Sequence, residues 1–211
     1  MEYLEATEFL DHEAQEIQEL VAEFKGEHLT MFQKAEGIYT KVRDGWRYNP
    51  YLISVEKDRY IASEIAKKSD GHCVDKAILL ITCLRALGIP ARIRLAKVTN
   101  HIAVERLTER FGTNVLTPHG MVDVFLGGKW VKATPAFNKE LCELCEVAPL
   151  EFDGTEDSVF QEFNEQGEQF MEYLEDYGHF DDVPVDFMLQ NLQETYPGVF
   201  NLENGIKEYK F

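Results

Sequence analysis

Residues 71–92 read GHCVDKAILLITCLRALGIPAR, and this stretch decides the fold. It predicts an apolar helix that begins near Cys73 and is stopped by Gly88 and Pro90. A helix N-terminus favours negative charge, so a thiol placed there has a lowered pKa and a larger thiolate fraction. The stretch therefore offers a candidate nucleophile at the start of a buried helix.

A second informative stretch, residues 119–138, reads HGMVDVFLGGKWVKATPAFN. It predicts a strand over 120–126, a Gly-Gly hairpin turn and a return strand over 129–134. Residues 91–98 alternate between apolar and polar side chains and predict a further strand. His119 at a strand start can accept a proton from a thiol and return it, so it is the candidate general base.

The rest of the chain predicts helices around this core. We expect one domain over 1–211, with N-terminal helices in 1–48, the core in 49–138 and an acidic helical extension in 139–211. Apolar spacing predicts helices over 10–24, 60–67, 156–177 and 185–194. A further helix is predicted to begin after Thr30, with Gln33 as the capping-box partner. Residues 99–117 are irregular, and we expect a loop with some helix there.

The composition limits the classes of partner. The chain has 38 acidic and 21 basic residues, a formal net charge of −17, and 45% hydrophobic residues. A core can form, whereas phosphate backbones are repelled, so we expect no nucleic-acid partner. Residues 1–5 lack a secretory pattern and no apolar run approaches the roughly 20 residues of a membrane span. We therefore expect a cytoplasmic protein with reduced cysteines and no membrane partner.

These blocks together resemble the transglutaminase-like superfamily, whose α+β fold is related to the papain-like architecture. The resemblance covers about residues 42–138. It implies a nucleophile helix packed on an antiparallel sheet with flanking helices, a peptide or protein amide substrate, and no metal or organic cofactor. The matching positions are Gly71, Cys73, Asp75 and Ala77, the run 84–92, His119, Asp123, Gly128, Trp130 and Val131, and, before them, Val42 to Asp44 and Tyr48.

One position departs from the family pattern. The family normally places an aspartate shortly after the tryptophan, and here Thr134 stands there. A threonine hydroxyl can accept a hydrogen bond from imidazole but carries no charge to stabilise imidazolium. Asn138, four residues on, is the other candidate to orient His119, because papain-like enzymes use asparagine in that role. We expect one of the two to hold the far ring nitrogen of His119.

The resemblance implies acyl transfer at an amide. Cys73 would attack the carbonyl, His119 would move the proton, and a thioester would be resolved by water or by an amine. The sequence leaves hydrolysis and transamidation both open. The missing aspartate supports an alternative, a catalytically silent module that binds a peptide or protein, and the acidic tail leaves open a purely structural interaction module.

Several nearby side chains have competing interpretations. His101 also precedes a strand-like run, but it lacks the hairpin and tryptophan, so we favour His119. Cys142 and Cys145 form a C-x-x-C pair without two further ligands, so we expect no metal there. We assign Asp75 to stabilisation of the helix start, and we expect the Cys73 backbone N–H to donate to an oxyanion. By family analogy alone, Trp46 or Tyr48 could line the cleft.

Overall fold

The computed structural model describes residues 3–101, 104–161, 163 and 166–199. The α-helices are α1 (Gln15–Val21), α2 (Met31–Gly45), α3 (Ala62–Ala66), α4 (Cys73–Ala86), α5 (Val104–Phe111), α6 (Lys139–Leu144) and α7 (Val185–Thr195), with short 3₁₀ turns at Ala22–Phe24 and Lys57–Tyr60. The strands are β1 (Arg47–Tyr48), β2 (Asp70–Gly71), β3 (Ala91–Asn100), β4 (Val115–Leu126), β5 (Lys129–Ala133) and β6 (Met171–Phe180).

The main sheet is antiparallel and runs in the order β5-β4-β3-β6. Helix α4 packs on β4 and β3, and α1, α2 and α3 pack on the other sides of α4. Every residue from Cys73 to Arg85 is buried, because α4 has neighbours on all its faces. The predicted α+β architecture, with the helix that begins at Cys73 packed against an antiparallel sheet, is confirmed.

Local signals at the element ends behave as the sequence predicts. Thr30 and Gln33 form a reciprocal capping box at the start of α2. Gly127 and Gly128 both have positive φ, of 58° and 84°, and close the β4–β5 hairpin. Two consecutive residues with φ above zero are what a two-residue hairpin turn requires, and glycine adopts them without strain. The turn therefore places β5 against β4 in the expected register.

A helix predicted over 156–177 is wrong, because residues 171–180 form β6 and no helix occupies the described residues between 156 and 170. Strand β6 covers the outer edge of β3, whose backbone N–H and C=O groups would otherwise lack partners. Acidic side chains of β6 also meet basic ones of β3, with Arg94 on Asp176 and Lys97 Nζ 3.2 Å from Glu175. Long-range pairing thus overrides the helical spacing.

The remaining extension contains α6 and α7, and α7 lies close to the predicted range 185–194. Residues 200–211 of that extension lie outside the described residues. The described helices include none with the length and apolar character needed to cross a membrane.

Two apolar clusters fill the interior. The first surrounds α4 and includes the inward faces of α1, α2 and α3. The second lies between β3, β4, α5, α6 and the end of α7, and contains Leu107, Phe111, Cys142, Phe170 and Tyr196. The N-terminus of α4 points toward the region between these clusters, where the candidate site lies.

Candidate active site

Cys73 is the first residue of α4, and the residues beside it hold the helix start. The His72 ring accepts from the Val74 N–H (3.4 Å), and Asp75 Oδ2 accepts from the His72 N–H (3.0 Å). These two bonds satisfy donors that have no partner within the helix. Asp75 thus stabilises the helix start, and burial raises its carboxyl pKa to about 6.

The Cys73 side chain is buried, with 1% of the residue exposed. Burial raises the pKa of its thiol to about 12, while the N–H groups of Gly120 and Val74 oppose that rise. Both ring nitrogens of His72 lie 3.6 Å from Sγ. Burial, assisted by the neighbouring His119, lowers the pKa of His72 to about 3, so this imidazole stays neutral.

His119 lies in β4, and its neighbour Gly120 fixes where β4 meets the start of α4. A Cβ built on Gly120 would lie 2.7 Å from Val74 Cα and 3.1 Å from the carbonyl oxygen of Cys73. Only a residue without a side chain allows this approach. The contact brings His119 into the neighbourhood of Cys73, although no hydrogen bond joins the two side chains in the described part of the chain.

His119 is itself closed off from solvent. Only 1% of it is exposed, and burial lowers its pKa to about 4. Neither ring nitrogen has a hydrogen-bond partner among the described residues. In this closed arrangement the thiol and the imidazole are therefore both uncharged.

A small cavity of about 10 Å³ adjoins His119 and Thr134. Thr134 Oγ1 has no hydrogen-bond partner among the described residues, and the same holds for Gln161 Oε1, which lines the same cavity. The volume is about that of the single water centre that such a polar site can hold. His119, Thr134 and Gln161, which each carry a buried polar atom without a partner among the described residues, thus line one cavity.

Gln161 is a residue that the sequence analysis did not single out. Its Nε2 donates to the Ala148 carbonyl (2.8 Å), which fixes the side chain and leaves the amide oxygen toward the cavity wall. The signal that could have found it is weak, since one glutamine in an acidic tail has no distinctive spacing. The tertiary structure alone brings it near His119.

Asn138 is not the residue that orients His119 in this structure. Its Oδ1 accepts from the Tyr48 backbone N–H (2.9 Å), and its Nδ2 donates to Glu140 (2.7 Å). Both polar ends of the amide are therefore occupied, and the predicted bond to the imidazole is not made. Asn138 instead holds β1, which pairs with β2 directly before His72 and Cys73.

Lys76, one helical turn after Cys73, is a second residue whose role the sequence did not reveal. It is fully buried, and its Nζ donates to the carbonyls of Arg43 (2.8 Å), Trp46 (2.8 Å) and Ala136 (2.7 Å). Burial lowers its pKa to about 7, but the three carbonyls favour the protonated amine with its three donors. Lys76 thus ties α2 and the segment after β5 to the nucleophile helix.

Tyr48 and Trp46 lie close to the site. The Tyr48 hydroxyl and Trp46 Nε1 are buried without hydrogen-bond partners among the described residues. Burial, followed by interaction with Cys73, raises the pKa of Tyr48 well above its usual value. The Tyr48 ring packs edge-on against Phe137 at a centroid distance of 4.8 Å, and Phe137 also lines the cavity beside His119.

The competing candidates lie elsewhere or have other partners. His101 Nε2 is 3.4 Å from Glu172 of β6, at the edge of the main sheet. Cys142 Sγ lies 3.8 Å from Gln161 Nε2, and Cys145 is partly exposed. Among the described residues, no group of three His, Cys, Asp or Glu side chains is arranged to hold a metal ion.

The chain was compared with curated proteins and with solved structures. No curated protein matches the chain. A solved structure of a proposed cysteine protease from Cytophaga hutchinsonii is similar over 64% of this chain, with 19% identity and a TM-score of 0.48. The match covers 40% of that longer chain.

The family model gives the decisive match. It spans residues 18–135, more than half of the chain, and includes Cys73, His119 and Thr134 but not Asn138. Its range runs from α1 through the β4–β5 hairpin, which is the part that builds the candidate site. The chain belongs to the transglutaminase-like superfamily.

Proposed function

We propose that the protein is a cysteine enzyme that transfers the acyl group of an amide. The observation that carries this is the contact of Gly120 with the Cys73–Val74 backbone, because it brings the backbone of the adjoining His119 close to the start of α4. Cys73 and His119 occupy the positions that the family resemblance assigns to nucleophile and base. The substrate proposed is a peptide or protein amide.

In the proposed reaction the Cys73 thiol gives its proton to His119 and its sulfur bonds to the amide carbonyl carbon. The backbone N–H of Cys73, at the helix start, donates to the developing oxyanion. The C–N bond then breaks, the amine leaves with the proton from His119, and a thioester remains. Water or a second amine attacks the thioester and restores the thiol.

The closed site sets a condition on this chemistry. A thiol whose pKa is about 12 does not donate to an imidazole whose pKa is about 4, so the reactive ion pair needs a more polar surrounding than the closed state gives. In this proposal, substrate entry supplies it by displacing the Tyr48–Phe137 ring pair, of which Phe137 lines the cavity at His119. We therefore expect Cys73 to react slowly with a small reagent such as iodoacetamide. Acylation should be faster with larger reagents that displace Tyr48 and Phe137.

The direct test is acylation by a p-nitrophenyl ester of a blocked amino acid, followed by mass spectrometry. We expect one acyl adduct, mapped to Cys73, that is absent from Cys73→Ser and strongly reduced in His119→Asn. Cys145→Ser is the matched control, because it removes the partly exposed cysteine and should leave the adduct mapped to Cys73 in place. Release of the acyl group to water or to an added primary amine such as dansylcadaverine distinguishes hydrolysis from transamidation.

A second candidate function is a silent binding module, and the burial of Cys73 together with threonine in place of the family's aspartate favours it. The same experiment separates the two. If the native chain forms no adduct at Cys73 with any ester while the partly exposed Cys145 still reacts with iodoacetamide, the enzyme proposal is wrong and the binding module stands.

Restoring the family's aspartate gives an independent test of Thr134. In Thr134→Asp a carboxylate would lie beside His119 and should raise the pKa of that imidazole. We expect the acylation rate to increase and its pH dependence to shift upward, as measured by stopped-time mass spectrometry. A rate unchanged from Thr134→Asn, the neutral control, would contradict a triad position for residue 134.

A further inference from the structure

A large groove opens on the side of the molecule next to the candidate site. Its volume is about 730 Å³, within the range of pockets that bind small molecules or large side chains. It lies between α5 and α6, above the second apolar cluster. The apolar side chains that form most of it are Tyr51, Leu107, Leu116, Leu141, Val147 and Phe170.

We propose that this groove binds a large, uncharged apolar side chain of the peptide substrate, next to the reacting amide. The proposal rests on the proposed function and adds to it the class of side chain that is selected. The groove lies only partly within the family match, since α6 follows the matched range, whereas α5, between β3 and β4, lies inside it.

Continuity with Cys73 and His119 is the first argument. Tyr48 lines the groove with its ring, while its hydroxyl is buried without a partner among the described residues and interacts electrostatically with Cys73. Phe137 lines both the groove and the cavity beside His119 and Thr134. Phe137 is therefore shared by the groove and the cavity at His119, and Tyr48, which also lines the groove, packs on it.

The position of that ring pair is controlled by residues on both sides. Asn138 Oδ1 accepts from the Tyr48 N–H, and the Asn138 backbone carbonyl accepts from the Leu141 and Cys142 N–H groups at the start of α6, which forms one side of the groove. A groove occupant that displaces α6 or Phe137 thus also displaces Tyr48 of β1, and β1 pairs with β2 directly before Cys73. Filling the groove is a physical route to opening the closed site, and it links the choice of side chain to reaction.

Charge is the second argument. The whole chain carries a formal net charge of −17, yet the groove lining contains one acidic and one basic side chain, Glu105 and Arg106. Because the two opposite charges in the lining offset one another, the lining does not select a charged side chain over an apolar one. Burial of apolar surface then supplies the affinity, at about 25 cal/mol per Å².

The rim provides variants that should fold normally. Val104 on α5 and Leu144 on α6 both line the groove, and they are 37% and 81% exposed. Changing both to aspartate places charge at the mouth without disturbing the interior. Leu174 on β6 is 48% exposed and lies away from the groove, so Leu174→Asp is the matched control.

The experiment uses peptidyl acyloxymethyl ketones that differ at one position, which is Phe, Leu, Ala or Glu. The rate of Cys73 modification is measured by peptide mapping, so labelling of Cys145 in the groove is counted separately. We expect the Phe and Leu probes to modify Cys73 about tenfold faster than the Ala probe, which is the discrimination that apolar pockets give. The Glu probe should react more slowly than the Ala probe. Val104→Asp/Leu144→Asp should reduce the Phe-to-Ala ratio to about threefold or less, while Leu174→Asp should keep it.

Two outcomes separate the groove from the chemistry. If Cys73 reacts equally with all probes, or if the double variant keeps the native ratio, the groove proposal is overturned and the proposed function stands. If Cys73 reacts with none, binding of the corresponding fluorescent peptides to the Cys73→Ala chain is measured by anisotropy. A preference for Phe over Ala that the double variant loses supports the groove alone, and equal binding of all peptides refutes it.

Discussion

The contact between Gly120 and the start of α4 leads to the sharpest prediction. In Gly120→Ala the new Cβ would lie 2.7 Å from Val74 Cα, and 3.1 Å from both the Val74 nitrogen and the Cys73 oxygen. All three are backbone atoms, so no side-chain rotation can relieve the overlap. Helix α4 must move away from β4 by more than half an ångström to reach ordinary contact distance, roughly 3.4 Å or more.

Overpacking of this kind costs about 1–3 kcal/mol in the free energy of unfolding. For a chain of this size that corresponds to a fall in melting temperature of about 3–10 °C. Because the displaced atoms belong to Cys73 and Val74, acylation of Cys73 should also fall by more than the loss of folded protein explains. Urea unfolding and the ester acylation assay measure the two effects.

Gly45→Ala is the control for this substitution. Gly45 ends α2, and a Cβ built there meets no atom within 4 Å, so we expect no loss of stability and acylation of Cys73 at the rate of the native chain. If the free energy of unfolding of Gly120→Ala lies within about 0.5 kcal/mol of the native value, the overpacking argument is refuted, because substitutions on the protein surface have effects of that size.

Three further predictions concern charges. Asp123 is 2% exposed, and its carboxylate accepts from two arginines of β3 at 3.1 Å and 2.9 Å. Asp123→Asn should lower the free energy of unfolding, measured in urea, by about 3 kcal/mol. The control Glu175→Gln, which removes a charge from an exposed pair, should lower it by less than about 1 kcal/mol. Lys76→Met leaves three buried carbonyls without their donor and should lower the free energy of unfolding by about 2–5 kcal/mol. A decrease below about 1 kcal/mol would contradict the role of Lys76 in holding α2 and the segment after β5 to α4. The pKa of His119 is lowered to about 4, so its stabilisation is complete above pH 6.5 and is lost as pH falls toward 4. His119→Gln should therefore remove on the order of 3 kcal/mol of acid sensitivity between pH 7 and pH 4, and equal acid sensitivity in the two chains would contradict burial of a neutral imidazole.

The closed state of the site could not be predicted from the sequence. A cysteine at a helix start indicates a thiol of lowered pKa, yet burial outweighs the helix terminus and raises that pKa to about 12. Burial depends on which residues cover the helix end, and here they come from β1, β4 and the segment after β5. The sign of the pKa shift at Cys73 is thus a tertiary property.

The orienting residue shows the same limit. Spacing made Asn138 a plausible partner for His119, but its amide bonds to Tyr48 and Glu140. Gln161, which has no distinctive motif, reaches the cavity instead. Four residues of separation after a strand do not determine where a side chain points once the chain turns into α6.

The sequence by itself determined the features that depend on neighbouring residues. Apolar spacing and the Gly88 stop predict α4, the Gly-Gly pair predicts the β4–β5 hairpin, and the motif around Cys73 and His119 predicts the family. Each rests on capping, on backbone angles open to glycine, or on a local pattern of side chains, and all are encoded within a few residues.

Only the tertiary structure decided what depends on residues far apart in the chain. Strand β6 forms because the edge of β3 needs backbone partners, and residues 171–180 supply them despite helical spacing. The three-carbonyl site of Lys76, the approach of Gly120 to α4 and the groove between α5 and α6 likewise join segments tens of residues apart. Such contacts are selected by the total burial and hydrogen bonding of the folded chain, which no local pattern contains.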